Sequence, residues 1–363
     1  MNLKDEIIIA AKESGIDRVG FTDAASKDFF IPMFEERRSK GWLTLMDDVE
    51  ANEWFDPKAA WERCRSVVSI ALSYRHSEEW SPKGTQGSFA RVSRGEDYHD
   101  VLHEKINQMM SKVKRIYPEI EYKAYVDNGP LSDRACAWHA GIGFYGKNGF
   151  IINDSCGSFI FLGQILLNVK LDADTPVLES RCGKCELCIK ACPVGAIKGP
   201  YQFDGNLCIA YLTQKKGLLD RQERKAMGQQ LYGCDICQDV CPFNKDVKLS
   251  NEQKFSVDCK KVVPELEYII NMDNKIYGEY FKNTSSGWRG KRTLQRNAVI
   301  VCGNIILENN FKLLLQCIHD QREEIRIHAM FSLLEYGEPG ERTVREQIEK
   351  ESSDFKDKFN RYR

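Results

Sequence analysis

The sequence predicts an α+β chain in three parts: an α/β domain over residues 1–175, a small cysteine-rich module over 176–250 and a helical end over 251–363. Three observations predict it. Apolar runs with strand and helix periods alternate through the first part. Eight of the 14 cysteines crowd between Cys182 and Cys241, among glycines and prolines. The last part reads as helical, so strand-and-helix layers give way to helix-on-helix packing.

In order along the chain, Ile7, Ile8 and Ala11 space a helix over residues 3–14 that stops at Gly15. Residues 18–22 form a short strand and Ser66–Ser73 a buried one. Residues 82–87 are a loop. Residues 98–117 form an amphipathic helix closed by Pro118, and 122–126 a strand running into the turn Asp127-Asn128-Gly129-Pro130. A helix over 131–140 and an apolar strand over 159–167 follow. In the last part, residues 294–301 resemble residues 325–332, which predicts two helical hairpins of HEAT type. An ordinary helical bundle fits the same pattern. The charged tail from Glu346 is expected to fray.

Lysine and arginine number 52 against 53 aspartates and glutamates. Net charge therefore names no partner, and any nucleic-acid surface must be a local patch. The hydrophobic fraction of 42% is ordinary for a chain with a proper core. No run of about 18 apolar residues offers a membrane span, and the charged start lacks a signal peptide's apolar core. A cytoplasmic monomer without a membrane partner is expected.

The first cysteine array is Cys182-x2-Cys185-x2-Cys188-x3-Cys192-Pro193, the spacing of bacterial two-cluster ferredoxins. Three close cysteines wrap one [4Fe–4S] cluster, and the fourth, next to proline, reaches another. The second array, Cys234-x2-Cys237-x3-Cys241-Pro242 with Cys208 upstream, reciprocates. Cys182, Cys185, Cys188 and Cys241 are thereby assigned to one cluster. Cys192, Cys208, Cys234 and Cys237 are assigned to the second. Zinc also takes paired Cys-x2-Cys motifs but does not need the Cys-Pro run. Cys64, Cys136, Cys156, Cys259, Cys302 and Cys317 are scattered and read as small buried hydrophobes. The module passes single electrons and does not itself name a substrate.

Five blocks surround the arrays: RVSRGEDYH over 91–99, VDNGPLSDR over 126–134, AGIGFYGKN over 140–148, CIAYLTQKKG over 208–217 and GWRGKRTLQRNA over 287–298. In this order the chain, from near its start to about residue 335, resembles the cobalamin-dependent epoxyqueuosine reductases of tRNA modification. The resemblance implies a cobalamin-binding N-terminal domain related to reductive dehalogenases. It implies reduction of epoxyqueuosine at the tRNA wobble position to queuosine, the last step of that nucleoside's synthesis. The clusters would feed electrons to cobalt and be refilled by a flavodoxin- or ferredoxin-like donor. The cofactor contacts implied are Trp54, Ala90, Asp97, Tyr98, Lys147, Asn148, Ile151, Leu162, Ala210 and Asp235. Trp54 stands where the family usually has arginine, and Ala90 where some members have cysteine. The common Asp-x-His-x-x-Gly ligating pattern begins at Asp97 and breaks after His99, which implies a cofactor without a histidine below the cobalt.

By the same motif, Asp127 is the acid that protonates the departing epoxide oxygen. A carboxyl in an apolar pocket would have a raised pKa. Asp127 also reads as a plain turn cap, and Asp97 as a helix N-cap. For tRNA, the run from Trp288 through Arg289, Lys291 and Arg292, with Arg296 one turn on, and the pair Lys215-Lys216 are the basic candidates. A solvated face is the plain alternative for each. Two other functions remain: a paralogous cobalamin reductase of a small molecule, and an electron carrier without catalysis.

Overall fold

Residues Ser66–Ser73 are buried at every position, so this strand must be central in a sheet covered on both faces. The computed structural model, which describes residues 2–47, 49–77, 80–256 and 259–363 (the side chains of 259 and 260 excepted), shows how. Two compact units form. The first comprises Met1–Ser77, Asp97–Asn206 and Ile236–Ser256, and the second Glu78–Glu96, Leu207–Asp235 and Val257–Arg363.

In the first unit the elements are α1 (Leu3–Glu13), β1 (Arg18–Asp23), β2 (Ser66–Ser73), α2 (Tyr98–Ile116), β3 (Tyr122–Tyr125), α3 (Asp133–His139) and β4 (Ile160–Leu167). Helix α1 starts on a capping box made by Asn2 and Asp5. The strands order β1-β2-β4-β3, all antiparallel, with Ser69 opposite Gln164 and Gln164 opposite Tyr125. On one face α2 lays Ile106 over the sheet, where Gly163 leaves room. On the other, α3 ends against β1 at Gly20. A Cβ there would stand 2.0 Å from the Ala140 carbonyl oxygen, so only glycine lets this helix end touch the strand. Helix α3 packs across β4, β2 and β1, which brings its first residue, Asp133, beside the turn after β3. The seven expected elements of this domain are present to within two residues. The helix Ile31–Ser39 and the hairpin of Phe144–Tyr145 with Ile151–Ile152 were not expected.

In the second unit α4 (Leu266–Asn271), α5 (Lys291–Asn304), α6 (Glu308–Cys317), α7 (Glu323–Leu334), α8 (Glu338–Ile348) and α9 (Ser353–Tyr362) build one core. Both mutually similar stretches are helical, on α5 and α7, and they pack together. The Ser332 hydroxyl donates to the Val299 carbonyl at 2.9 Å. Helix α7 is buried almost all round, which a helix tolerates only inside others. The tail does not fray as expected. Ser352 caps α9, whose Phe355 and Phe359 are buried, with Phe359 stacked on Phe331 at 4.9 Å. A period of four between the two phenylalanines gives this charged segment one apolar stripe. Among the described residues no helix is long and apolar enough to cross a membrane. Cys64, Cys136, Cys156, Cys302 and Cys317 are buried, as expected of small hydrophobes. The Cys259 side chain lies outside the described residues.

Candidate active site

The turn after β3 puts Asp127 in a left-handed backbone conformation, φ 55°. A residue other than glycine pays for that unless the surroundings hold it. Here its amide donates to Asp133 Oδ2 at 3.0 Å. Its carboxylate Oδ2 lies 3.5 Å from His99 Nε2, and His99 Nδ1 lies 2.7 Å from Asp97 Oδ1. Asp97 also caps α2 through the His99 amide, as its plain reading has it. Tyr98 hydrogen-bonds Asp127 and stacks on Phe161 at 4.2 Å, nearly parallel.

These contacts set the charges. Burial works against a charged His99, but hydrogen bonds to Asp127 and Asp97 and the pull of both carboxylates outweigh it, raising its pKa to about 9. Burial pushes Asp127 up, and hydrogen bonds from His99 and Tyr98 with the charges of His99 and Arg134 bring it below the ordinary carboxylate value. The expected raised pKa of Asp127 is thus overturned, because a cation stands against it. Its side chain is 59% exposed, so solvent reaches it although protein crowds it. The carboxyl with the raised pKa is Asp133, pushed up to about 8 by burial and by the charge of Asp127. Among the described residues its Oδ1 is buried without a hydrogen-bond partner. Neither His99 nor Asp133 was singled out from the sequence as chemically active, although both lie in the quoted blocks.

The remaining cofactor candidates of this unit differ in what they offer. Leu162 is the one partly exposed position of β4 and adjoins Phe161, which faces Tyr98. Trp54 packs on Phe34 and Phe55 at 5.3 and 5.2 Å, an apolar contact in place of an arginine's charge. Ile151 is engaged in core packing. Asn148 accepts the Phe150 amide at 3.2 Å. Lys147 Nζ donates to the Gly183 and Cys185 carbonyls. Half-buried Tyr98 and partly exposed Leu162 are the surface these candidates offer to a broad amphipathic cofactor such as cobalamin.

Cys182, Cys185, Cys188 and Cys241 all belong to the first unit, and none is in a disulfide. Burial raises the Cys188 thiol, and Cys182, Cys241 and Cys185 raise it further; Cys241 is raised by burial and by Cys182 and Cys185. Cys241 and Cys182 also share one small apolar cluster with Phe144 and Ile152. Among the described residues no three His, Cys, Asp or Glu side chains converge as on a single ion. A cubane takes one thiolate at each of four separate irons, so its donors stand wider apart. Of the second set, Cys192 and Cys237 fall in the first unit and Cys208 and Cys234 in the second. The Ala196 amide donates to Cys192 Sγ at 3.3 Å.

In the second unit, Ala90 is buried beneath Gly233, where a Cβ would come within 2.6 Å of it. The buried Asp235 accepts from the Arg91 amide at 2.7 Å and from its guanidinium at 3.3 Å. The Ala210 carbonyl accepts from Thr213 and Gln214. Trp288 is 56% exposed; its Nε1 lies 2.9 Å from the Tyr232 hydroxyl and 3.0 Å from Gln214 Oε1. The Arg289 guanidinium lies 3.7 Å from the Trp288 ring centroid. Lys216 and Arg292 are exposed, Arg292 beside Glu324, while Lys215 pairs with Glu223 and Lys291 with Asn274. Arg296 is 0% exposed and donates to the Lys215 and Gly217 carbonyls and to Asn297. It is therefore no phosphate contact. It holds the turn that carries Lys215 and Lys216.

Comparison with known proteins brings these features under one description. The family model described as "Epoxyqueuosine reductase QueG, DUF1730" matches residues 55–128, and one described as "4Fe-4S double cluster binding domain" matches 181–244. An epoxyqueuosine reductase of Bacillus subtilis is 36% identical over 98% of this chain and 92% of its own. One from Escherichia coli is 34% identical over 80% and 78%. A crystal structure of epoxyqueuosine reductase with an epoxyqueuosine-modified tRNA stem loop superposes with a TM-score of 0.92 at 35% identity, covering 99% of this chain and 97% of that one. A Bacillus subtilis structure with the same TM-score and coverage, at 34% identity, has an aspartate's catalytic loop swung out of the active site.

Proposed function

The chain belongs to the epoxyqueuosine reductase family, and on that premise we propose that it reduces epoxyqueuosine to queuosine at the wobble position of tRNA. Cobalamin would stand at the reacting centre, with two [4Fe–4S] clusters as the electron supply. The observation that carries this reading is the row of Asp97, His99 and Asp127, with His99 Nδ1 2.7 Å from Asp97 Oδ1 and Nε2 3.5 Å from Asp127 Oδ2. Turning an epoxide into an alkene takes two electrons and two protons and releases the oxygen as water. The leaving oxygen needs an acid within hydrogen-bond reach.

At neutral pH the imidazole of His99, with a pKa of about 9, is protonated, and both ring nitrogens then donate. Asp97 fixes the ring, and Asp127 would take one proton from Nε2 to the substrate side, the second coming from the solvent that reaches its exposed carboxylate. The pair titrates as a unit. Cobalamin, when bound, supplies a metal that takes up electrons singly and bonds to carbon or oxygen. Tyr98, Leu162 and Asn148 would hold it from the first unit, with Trp54 lending apolar surface only. Cys182, Cys185, Cys188 and Cys241 would hold one cluster and Cys192, Cys208, Cys234 and Cys237 the other. Trp288 with Arg289 offers a stacking platform for an unpaired base, and Lys216 and Arg292 offer phosphate contacts. Helices α5 to α8 serve as HEAT-like hairpins behind them. A flavodoxin- or ferredoxin-like protein refills the clusters, and the working form is a monomer.

The test is incubation with an epoxyqueuosine-containing tRNA stem loop under a strong reductant, followed by nucleoside analysis. Conversion to queuosine is expected. Asp127→Asn should keep bound corrinoid and lose turnover. Reduction of a small organic epoxide or halide with no action on the tRNA would overturn the reading in favour of a small-molecule reductase.

A further inference from the structure

The loop between the first two cysteines of the 182–188 array meets a cation from a distant stretch of the same unit. Lys147 Nζ donates to the Gly183 carbonyl at 2.9 Å and to the Cys185 carbonyl at 3.0 Å. Lys147 sits at the turn of the hairpin Phe144–Tyr145 and Ile151–Ile152, whose strands pair Phe144 with Ile152 and Tyr145 with Ile151. Asn148 closes that turn by accepting the Phe150 amide. The ammonium is therefore delivered by an ordered hairpin. Phe144 and Ile152 of the same hairpin pack with Cys241 and Cys182. One small element thus touches the ligand set twice: its strands lie on two of the cysteines, and its turn holds the backbone beside Cys182 and Cys185.

Two physical consequences follow. A trans peptide points its carbonyl and its N–H in opposite directions. Drawing the Gly183 and Cys185 carbonyls to Lys147 therefore turns the amides of Lys184 and Glu186 away from it and fixes the loop's orientation. In addition, one-electron reduction of a cluster adds one negative charge, and a fixed cation nearby favours the reduced state. Charge and hydrogen bonding around a cluster are the protein's means of setting its potential.

We propose that Lys147 is a positioning residue for the first [4Fe–4S] cluster: it pins the Cys182–Cys185 loop and raises the reduction potential of the cluster that loop holds. This rests on the reading of Cys182, Cys185, Cys188 and Cys241 as ligands, and it gives Lys147 a different task from the cofactor contact expected of it.

The test uses the full chain, purified anaerobically and reconstituted with iron and sulfide. Dithionite supplies one electron per cluster at controlled potential, and electron paramagnetic resonance counts the reduced clusters. Lys147→Met should shift one of the two midpoints to more negative potential, and Lys147→Arg, which keeps the charge and the donors, should stay near the native value. Iron loss from Lys147→Met but not from Lys147→Arg would support the pinning role. An unshifted midpoint in iron-replete Lys147→Met, or the same change in both variants, overturns the proposal. Native protein that takes up no iron would instead remove the cluster reading on which it stands.

Discussion

The amide of Asp127 donates to Oδ2 of Asp133 at 3.0 Å, so a non-glycine residue with a left-handed backbone is held by a carboxyl whose pKa burial and the charge of Asp127 push up to about 8. The contact joins the turn after β3 to the first residue of α3. A left-handed residue other than glycine costs on the order of 1–3 kcal/mol, and this hydrogen bond is what opposes its relaxation.

Removing the acceptor should free the turn. Asp133→Ala is expected to lower single-turnover reduction of an epoxyqueuosine stem loop by roughly 10- to 100-fold, the scale of an ångström-sized misplacement of a reacting group, with corrinoid content unchanged. Asp133→Asn keeps an acceptor and should lose far less. Equal losses in the two variants would mean that the proton on Asp133 matters, and not its hold on the turn.

Stability should fall as pH rises above neutrality. The His99 pKa is raised from 6.5 to about 9, so its contribution is fully present below pH 6.5 and lost as pH passes through 9. Asp133 is raised from 3.8 to about 8, so the native state also keeps that proton longer than the unfolded chain does, and stability declines from about pH 4 to 8. Both slopes have the same sign between 6.5 and 8. Tm should therefore drop from pH 6.5 to 9.5, at roughly 2–4 °C per kcal/mol lost. His99→Gln should flatten the upper part of the decline; an unchanged slope would show that His99 does not hold its proton as described.

Trp288 should dominate binding of a loop base. Its indole is anchored by Tyr232 and Gln214 and carries Arg289 on its face. Trp288→Ala should weaken stem-loop binding by about 1–3 kcal/mol, the range for loss of one stacked base. Lys216→Ala with Arg292→Ala should instead reduce the steepness of the salt dependence. Fluorescence titration at several salt concentrations separates the two effects.

Arg296 should act on the fold. Removing one partner from a buried, hydrogen-bonded charge costs about 3–5 kcal/mol, so Arg296→Ala should lower the denaturant midpoint sharply. Phe359→Ala, which takes away the ring stacked on Phe331, should cost about 3–5 kcal/mol as a core truncation. An Arg296→Ala protein of native stability with weakened tRNA binding would place that side chain at the surface after all.

Much of this was legible along the chain. Strands β1, β2 and β4 and helices α1 and α2 announced themselves by period and by the residues that stop them, because burial of a strand or a helix stripe is written at intervals of two or of three to four residues. The short hairpin that carries Lys147 was not legible. Its strands are two residues long, too short for any period to show. The tail from Glu346 was misjudged because its charge outweighs its two phenylalanines in composition, while their spacing, which composition ignores, decides the packing.

Cysteine spacing alone yields the proposed ligand sets, since the reach of three thiolates around one cluster is fixed by the few peptide bonds between them. The motif around Asp127 likewise carried its identity as the candidate acid. Only the tertiary structure decided the state and direction of the charged groups. Arg296 points inward because the carbonyl of Lys215, 81 residues away, is brought to it. Lys147 is brought to a carbonyl 36 residues on. Asp127 stays ionised because folding sets His99 against it. A side chain's charge and aim depend on which distant groups share its surroundings, and sequence spacing does not encode that.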